Sequence, residues 1–577
     1  MKCRWSLAPA QPALAEFLAQ SLSLSPLLAQ CLLNRGHSEP EPIARFLDPK
    51  LKNLADPFLL PNMAAAVTRL LAARAAREPL VIFGDYDVDG VTSTTLIHEV
   101  LTALGWTVHC YLPHRMDEGY GLSQTGVENC LEKFPVTLLL AVDCGSTART
   151  QVAWLRERGV DVLILDHHQV SDPAPDAVAL VNPQLQREAG VPPGSPDFTE
   201  LCSAGLAFKL AHALVKQARA DGLPGAAEYD VRPLLDLVAL GTIADLVPLR
   251  GENRILVSAG LTRLTETTRP GLIALKEVAG IKGDVGGYEV GFQLGPRLNA
   301  AGRLENAEEA LHLLQAHDLA EAAPVAQSLD ARNRERQDIE RSISTQAIGA
   351  VRARFDPARD LVIVEGQLLW HIGVVGIVAS RVLQEFYRPT VIIGGEGGEW
   401  RGSGRSIEGF DLAAALRECD DLLLRHGGHA MAAGVTIHPD QIEALRERLN
   451  TIARRSLRPE QLQPTLRLDA EVTLRDLTVP RLQELARLEQ TGMGNPRPQF
   501  FLRNVGHQRA LLRMGREKQH AKLWITDGDR TCEAVLWNAK EGSLPVGKFD
   551  LAFAPDLNRF NGNVTVQLKV LDWRAAE

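Results

Sequence analysis

The feature that most restricts the fold lies between residues 78 and 250, where short apolar runs alternate with helical stretches. Continuously apolar runs of this length are typical of parallel strands that are buried on both faces. Each run ends in polar, glycine or proline residues: PLVIFGDYD, WTVHCYLP, TLLLAVDCG, DVLILDHH and AVALVNP. The pattern predicts an open α/β sheet, in which ligands bind beyond the carboxyl ends of the strands.

The rest of the chain predicts three further parts. Residues 308–354 read as helix and are largely polar, which suits a long helix between two bodies. A second α/β segment follows, with strands LVIVEGQ and PTVIIGG around the helix HIGVVGIVASRVLQEF. After the linker SLRPEQLQP, alternating runs predict a small OB-like β-barrel: QFFLRNVGHQ, KLWITDG, CEAVLWN, FDLAFAPDL and VTVQLKVLDW.

These patterns divide the chain into four expected regions, as its length of 577 residues allows. We expect a parallel-sheet domain over 1–320 and a connecting helix over 321–355. A second α/β domain is expected over 356–458, and the barrel over 465–577.

Composition limits the class of protein. The chain is 45% hydrophobic and 23% charged, with no apolar run long enough to cross a bilayer. Its first residues lack a signal-peptide pattern, and its eight cysteines form no C-x-x-C pair. We therefore expect a cytoplasmic protein without membrane association, disulfide framework or structural zinc site.

The net charge of −9 does not exclude a nucleic-acid partner, because the local distribution of charge decides phosphate binding. Between residues 503 and 522 the chain carries six basic residues against the single acidic Glu517. Such a run is either a solvated surface or part of a groove for a single strand. Aromatic side chains beside it would favour the groove, and the sequence does not decide which of them face outward: Trp524, Trp537, Phe560 and Trp573.

The first chemical motif, Gly84 to Gly90, places Asp85, Asp87 and Asp89 directly after a strand. Carboxylates crowded in this way repel one another unless cations bind them. A calcium loop of the EF-hand type would need a preceding helix and a glutamate where Leu96 stands. A P-loop is excluded by the lack of a G-K-[ST] sequence, whereas a structural turn rich in aspartate remains an alternative.

Three further motifs follow apolar runs that read as strands of the same sheet. Each is a weak signal alone, but ligands from four strand ends in one sheet are difficult to explain by chance. The residues concerned are Asp143, Asp166, His167, His168 and Asp245.

Carboxylates with one or two imidazoles favour Mn²⁺ or Mg²⁺ over thiolate-bound zinc. Five or six such ligands exceed the need of one ion and suffice for two. A pair of ions about 3.5–4 Å apart can clamp both oxygens of an in-line phosphoryl displacement. The sequence thus predicts a two-metal hydrolytic centre.

These motifs resemble the DHH phosphoesterase family, whose name describes the Asp166-His167-His168 sequence. Residues 427–434, GGHAMAAG, with Ser403 to Ser406 upstream, resemble the DHHA1 domain of that family. Residues 295–303, GPRLNAAGR, and 492–496, GMGNP, resemble stretches of the single-strand DNA exonucleases within it. The resemblance extends from about residue 40 to the end of the chain.

The resemblance implies a role for each acidic and histidine position. Asp87 and Asp89 are expected to bind metal with Asp85 close by, and Asp143 to bridge the two ions. The remaining expected ligands of the second ion are His167 and Asp245. Asp166 is expected to orient His167 by a hydrogen bond. The side chains expected to face the scissile phosphate are His168 and His429.

The resemblance also implies phosphate-binding residues, including a pocket for the 5′ end of the strand. Guanidinium groups suit this role because they bind phosphate through two parallel hydrogen bonds. The residues are Ser403, Arg405, Arg115, Arg297 and Arg303, of which the last two could instead pair within the fold. One position departs from the pattern: Phe83 stands where some family members have a histidine, which leaves the identity of the first metal open.

The function implied is 5′→3′ exonuclease action on single-stranded DNA in recombination and repair, with a helicase and single-strand-binding protein as expected partners. A phosphodiesterase for short oligoribonucleotides or cyclic dinucleotides is the alternative, although it would not need residues 465–577. A non-catalytic DNA-binding scaffold and an inorganic pyrophosphatase fit less well, because all acidic positions are present and arginine-rich additions accompany them.

Overall fold

The computed structural model describes residues 3–114, 117–119, 121–189, 196–304, 306–539 and 545–576. Its contacts divide the chain into two compact units. The first unit comprises His37–Asn333 and Ala486–Arg497, and the second comprises Met1–Gly36, Arg334–Leu485 and Pro498–Glu577. The units differ from the four expected regions in two stretches. Residues 486–497 belong to the first unit, and residues 1–36 belong to the second. No helix among the described residues is both long and apolar enough to cross a membrane.

The first unit is built on a five-stranded, fully parallel sheet. Its strands are β1 (Leu80–Gly84), β2 (Val108–Tyr111), β3 (Leu138–Val142), β4 (Asp161–Leu165) and β5 (Ala179–Val181). The strand order is β2-β1-β3-β4-β5. The chain runs from β1 to β2 on one side and then crosses to β3 on the other side of β1, so the strand order reverses between β1 and β3. Alternate residues of the strands enter two separate apolar cores, one on each face, which explains their continuous apolar sequences.

Helices surround this sheet and fill the remainder of the unit. Four of them position the site: α1 (Val88–Ala103), α2 (Ser203–Ala220), α3 (Leu235–Ala244) and α4 (Gly295–Leu304). A π-helical turn, Val290–Leu294, leads directly into α4. The others are Pro40–Leu47, Met63–Ala76, Gln124–Lys133, Arg149–Glu157, Gln184–Ala189, Gly251–Thr265, Pro270–Val278, Gly287–Glu289 and Glu308–Gln315.

The predicted connecting helix spans Leu319–Arg354 and crosses the boundary between the units. In the second unit it is followed by a mixed sheet of order β9-β10-β8-β7-β6. The strands are β6 (Ile363–Leu368), β7 (Thr390–Glu396), β8 (Glu399–Arg405), β9 (Arg425–His429) and β10 (Ala432–Ile437). The helices of this unit are α5 (Val375–Phe386), Pro12–Leu22, Pro26–Asn34, Leu412–Arg417, Ile442–Ser456 and Val479–Leu485.

The C-terminal strands form the expected OB-like barrel. They are β11 (Phe500–His507), β12 (Leu512–Met514), β13 (His520–Thr526), β14 (Thr531–Leu536), β15 (Phe549–Phe560) and β16 (Asn563–Ala575). The sheet order is β11-β15-β16-β14-β13-β12, and an antiparallel pairing of β11 with β13 closes five strands into a ring. Closure removes the open edges of the sheet. Short strands Ala470–Glu471, Arg4–Leu7 and Thr465–Leu468 complete the pairing of this unit.

Candidate metal centre

The acidic motifs meet where the strand order of the first sheet reverses, between β1 and β3. Strands β1 and β3 are neighbours, and their carboxyl ends carry Asp85 and Asp143 respectively. Ligands bind at such switch points of open α/β sheets. Asp143 has a φ of +63°, a left-handed conformation that is unusual for a residue with a side chain and that recurs at functional sites.

The loop after β1 is short because α1 begins within the motif. Asp87 caps α1 by accepting a hydrogen bond from the Gly90 backbone N–H at 3.1 Å. A Cβ at Gly90 would lie 2.4 Å from the carbonyl oxygen of Asp85, so only glycine allows the loop to close this tightly. This packing places Asp85, Asp87 and Asp89 at the beginning of one helix.

The N-terminus of α2 holds two of the carboxylates. The backbone N–H groups of Ser203 and Ala204 donate to the two oxygens of Asp89 at 2.7 and 2.9 Å. The Ser203 hydroxyl donates to Oδ1 of Asp143 at 2.8 Å. Helix N-termini stabilise negative charge in this way. Ser203 was not among the predicted site residues. The local sequence does not show which carboxylate the N-terminus of its helix contacts.

Three carboxylates and one imidazole converge without hydrogen-bonding to one another. Nε2 of His167 lies 3.5 Å from Oδ1 of Asp143, 3.6 Å from Oδ2 of Asp245 and 4.0 Å from Oδ2 of Asp89. Within the described residues, Nε2 of His167 and Oδ2 of Asp245 are buried and have no hydrogen-bond partner. Buried polar atoms of this kind are costly unless something else binds them.

The ligand atoms form overlapping groups in which all atoms lie within 4.8 Å of one another. Asp143 belongs to two of these groups, one with Asp85 and Asp87 and one with His167 and His168. A third group joins Asp89, Asp245 and the thiol of Cys202. Cys202 was not among the predicted site residues, since a lone cysteine has no sequence pattern that places it at a site.

Burial and mutual repulsion disfavour the charged forms of the carboxylates in this centre. Burial, followed by repulsion from neighbouring carboxylates, raises the pKa of Asp89 to about 6 and that of Asp245 to about 9. The same causes raise the pKa of Asp143 well above its usual range. Burial lowers the pKa of His167 to about 4, which leaves the imidazole neutral and able to bind metal. Divalent cations would relieve the repulsion among the carboxylates.

Asp166 holds a different histidine ring from the one expected. Its Oδ1 lies 2.7 Å from Nδ1 of His168, whereas His167 contacts Asp166 only through its backbone N–H, at 2.8 Å. The expectation that Asp166 orients the His167 ring is therefore wrong in this detail. The reason is the turn after β4, which directs the second ring back toward the aspartate. Despite burial, the hydrogen bond to Asp166 and its charge raise the pKa of His168 to about 9.

Asp245 reaches the centre from a helix and not from a strand, which corrects the sequence interpretation. It follows α3, whose residues Leu235–Ile243 are all buried. Because α3 is largely apolar and buried on every side, its sequence resembles that of a buried strand. A Cβ at Gly241 would lie 2.9 Å from Oδ1 of Asp89 and 2.6 Å from Cβ of Ala204, so this glycine lets α3 approach the site.

Helix α4, from the GPRLNAAGR stretch, borders the same centre. A Cβ at Gly295 would lie 3.7 Å from Cβ of Ala244, and one at Gly302 would lie 2.9 Å from the carbonyl oxygen of Tyr86. The two glycines therefore pack α4 against the chain segments that carry Asp245 and Asp85. The close approach to Tyr86 gives a physical reason for Gly302, whereas a Cβ at Gly295 would be closest to the carbonyl oxygen of Val290, at 3.0 Å.

The arginines predicted to bind phosphate in the first unit have different outcomes. Arg297 is directed into the fold, with Nε 3.0 Å from Asp330 and Nη1 2.7 Å from the carbonyl oxygen of Gln293. Arg303 is half-buried near the end of α4. Arg115 lies outside the described residues. A role in DNA binding stays a prediction for these three residues.

Ser403, Arg405 and His429 lie in the second unit. Arg405 pairs with Ala432 across β8 and β10, and Ala432 pairs in turn with His429 on β9, so Arg405 and His429 lie in one row across the sheet. Ser403 lies two residues before Arg405 on the same strand and pairs with Gly434. Nη1 of Arg405 donates to Oγ of Ser403 at 2.9 Å. GGHAMAAG thus forms a β-hairpin.

The barrel leaves aromatic and basic side chains at its surface. Trp537 and Phe560 are exposed, and the Arg509 guanidinium stacks on Trp524 at 3.6 Å from the ring centroid. Some of the basic run is paired within the unit, as Lys522 is with Glu533 at 2.6 Å. A cationic surface with exposed aromatics is typical of single-strand binding.

Comparison with known proteins agrees with this architecture over the whole chain. Three family models match: the DHH family N-terminal domain over residues 79–242, the DHHA1 domain over 360–455 and the RecJ OB domain over 468–572. Together with the converging carboxylates and imidazole, they define a metal-binding phosphoesterase of the DHH class.

Individual relatives narrow the class. The single-stranded-DNA-specific exonuclease RecJ of Bacillus subtilis is 37% identical over 100% of this chain and 71% of its own length. The enzyme of that name from Escherichia coli is 34% identical over 94% of this chain and 95% of its own. The crystal structure of RecJ in complex with Mn²⁺ from Thermus thermophilus superimposes with a TM-score of 0.83, at 32% identity, over 100% of this chain and 80% of that one. The chain belongs to the RecJ family.

Proposed function

We propose that this protein is a single-strand-specific DNA exonuclease that hydrolyses phosphodiester bonds from the 5′ end with two divalent metal ions. The observation that carries the proposal is the convergence of buried oxygen and nitrogen atoms around Nε2 of His167. Oxygen and imidazole ligands suit Mn²⁺ or Mg²⁺. The named activity of the full-length relatives supports DNA as the substrate.

The overlap of ligand groups at Asp143 supports two ions. We assign Asp87 and Asp89 as metal ligands with Asp85 beside them, and Asp143 as the bridge between ions. His167 and Asp245 complete the assigned set, since their ligand atoms lie 3.6 Å apart. When bound, the ions would activate water and neutralise charge on the phosphate.

The chain's own residues supply orientation and a proton donor. Asp166 fixes the His168 ring through Nδ1, and the raised pKa keeps this imidazole protonated at neutral pH. A protonated histidine beside the metal ligands can donate to a non-bridging phosphate oxygen. The Ser203 hydroxyl and the α2 N-terminus hold Asp143 and Asp89 in place as substrate binds.

Ser403, Arg405 and His429 are proposed to bind the 5′ phosphate of the strand. Gly376 at the beginning of α5 is close enough that an added Cβ would lie 3.0 Å from both Ser403 Oγ and Arg405 Nη2. Anion binding is favoured where a guanidinium faces a helix N-terminus. His429 is exposed at the end of the row, which suits contact with the strand.

We place the enzyme in the cytoplasm, where a helicase and a single-strand-binding protein would provide and present its substrate during recombination and repair. All eight cysteines are free, in keeping with a reducing compartment. A single-strand-specific site needs such partners because duplex DNA must first be opened. Stimulation of duplex degradation by an added helicase would test the partnership.

The function is tested by a time course on single-stranded DNA labelled at each end in turn, with Mn²⁺, Mg²⁺ or EDTA. We expect the 5′ label to be released as mononucleotide at early times, and EDTA to stop the reaction. Matched arms contain duplex DNA, RNA of the same sequence, short oligoribonucleotides and a cyclic dinucleotide. Cleavage confined to the last two substrates would replace the proposal by the small-substrate phosphodiesterase. Titration of Mn²⁺ followed by electron paramagnetic resonance should give two sites per chain.

A further inference from the structure

Exposed apolar side chains of the first unit are concentrated beside the metal centre. Among its described residues, seven large hydrophobic side chains are exposed, and four of them lie on the Asp245 loop, on the segment that contacts this loop or on the helical segment next to that one. These four, called the apolar patch below, are Leu246, Tyr288, Phe292 and Met493. Concentrated apolar exposure on a protein surface marks a binding site more often than scattered exposure does.

Three chain segments bring the patch together. Leu246 directly follows Asp245, and three residues later the Leu249 N–H donates to the Met493 carbonyl oxygen at 2.8 Å. A Cβ at Gly287, next to Tyr288, would lie 3.7 Å from the carbonyl oxygen of Thr491. The segment that carries Met493 therefore lies between the Asp245 loop and the helix that carries Tyr288.

The two aromatic rings are already arranged as a stack. Their centroids are 5.1 Å apart and their planes differ by 29°. Tyr288 is 63% exposed and Phe292 is 70% exposed, so stacking on each other leaves most of both rings open. Phe292 lies in the π-helical turn, an element that occurs often at functional sites, and this turn continues into α4 beside the carboxylates.

A cation completes the surface. Arg250 is exposed, and its Nε donates to the carbonyl oxygen of Gly494 at 2.6 Å, which holds the guanidinium beside Met493. Aromatic rings next to a positive charge are the combination that binds unpaired nucleotides, because bases stack on the rings and phosphates pair with the charge. The position of this surface beside the metal centre favours the substrate strand as its occupant over a protein partner.

We propose that the apolar patch is a stacking subsite for unpaired nucleobases of the strand that enters the metal centre. Tyr288 and Phe292 supply the stacking faces, Leu246 and Met493 border them, and Arg250 binds the adjacent phosphate. The subsite rests on the proposed function, since its occupant is the DNA substrate. It contributes to selecting single strands, because bases in a duplex have no free face to stack.

The test uses the full-length chain with Tyr288→Ala and Phe292→Ala combined, and Phe17→Ala as the control. Phe17 is an exposed aromatic of the second unit, so its loss matches the change in chemistry. Binding is measured in EDTA by fluorescence anisotropy with oligonucleotides that each lack one base at a successive position. In the wild type, removal of the base at one position near the 5′ end should weaken binding about tenfold, and this loss is the penalty at that position.

The double variant should bind the complete strand about tenfold more weakly and lose the penalty at that one position. Tyr288→Phe should retain the penalty, and all variants should melt like the wild type. A penalty that persists in the double variant overturns the subsite. The subsite is also overturned if the double variant binds DNA like the wild type but has an altered sedimentation coefficient. The patch would then be a contact between two copies of this chain. If the wild type neither binds nor cleaves single strands, the proposed function itself fails.

Discussion

Nδ1 of His168 lies 2.7 Å from Oδ1 of Asp166, and this contact orients the ring that adjoins the metal ligands. The carboxylate is itself fixed, because its Oδ2 accepts a hydrogen bond from the Ser146 backbone N–H at 3.0 Å. Asn182 Nδ2 also donates to the His168 carbonyl oxygen at 2.8 Å. The histidine is thus held through both its ring and its backbone, which separates its role from the metal binding proposed for His167.

Asp166→Asn should reduce kcat by about 10- to 100-fold, since partners of this type orient catalytic groups. The amide cannot stabilise an imidazolium, so the pKa of His168 should fall from about 9 toward its usual value. Since the proposed role of His168 needs its protonated form, the alkaline limb of the pH–rate profile should move to lower pH. An unchanged profile with reduced kcat would assign Asp166 a purely structural role.

Asp143→Ala should abolish hydrolysis and leave binding of single strands largely intact, because the residue shared by two ligand groups is lost. Mn²⁺ titration should show fewer bound ions than in the wild type. Glu157→Ala, an exposed carboxylate of the same unit, is the matched control and should change neither quantity. Normal turnover in Asp143→Ala would contradict the two-metal assignment.

Arg405→Ala should reduce the preference for 5′-phosphorylated over 5′-hydroxyl strands, because a bidentate phosphate ligand is removed. The ratio of kcat/KM for the two substrates measures the effect. Arg417→Ala, an exposed arginine of the same unit, should keep the wild-type ratio. A ratio unaffected by Arg405→Ala would locate the 5′-end pocket elsewhere.

Sequence patterns were sufficient to predict which side chains converge where those side chains follow directly after neighbouring strands of one sheet. Carboxyl ends of neighbouring parallel strands share one edge of a sheet, so convergence of Asp85, Asp143 and His167 followed from the strand prediction alone. The barrel was predictable because its strands alternate in polarity. Asp245 Oδ2 lies 3.6 Å from His167 Nε2, but the helix before Asp245 was mistaken for a strand because α3 is buried on all sides.

What the sequence could not provide are contacts between distant segments. Residues 486–497, which contain the GMGNP stretch, pack in the first unit although both flanking stretches belong to the second. One residue of the first unit that contacts this segment is Arg254, which has no sequence motif around it. Its guanidinium is buried, lies 3.8 Å from the Phe46 ring centroid and donates to carbonyl oxygens of residues 46 and 487–490.

Arg254→Leu should destabilise the protein by about 3 kcal/mol, because several buried carbonyl oxygens lose their donor. The charge itself is stabilised by these carbonyls, although burial lowers the pKa of Arg254 to about 10. Thermal unfolding followed by calorimetry measures the change, with Arg263→Leu, an exposed arginine on the same helix, as the control. Equal stability of the two variants would show that the segment is not held by Arg254.

The same segment should also influence metal binding through the loop that follows Asp245. Gly494 has a φ of +71°, and a Cβ there would lie 2.8 Å from Cβ of Pro248. Gly280 provides a matched control in the same unit, since its φ is +72° and nothing lies within 4 Å of an added Cβ. Both alanine variants carry the same backbone strain, of about 1–2 kcal/mol, but only Gly494→Ala presses on the loop.

We therefore expect Gly494→Ala to weaken Mn²⁺ binding by about tenfold, comparable to the loss of a supporting contact in other metal sites. Gly280→Ala should lower the melting temperature to a similar extent and leave Mn²⁺ affinity unchanged. Calorimetric titration with Mn²⁺ separates the two effects because it requires no turnover. Equal Mn²⁺ affinity in both variants would show that the Asp245 loop keeps its position independently of residues 486–497, and any loss of activity in Gly494→Ala would then have to arise from strain alone.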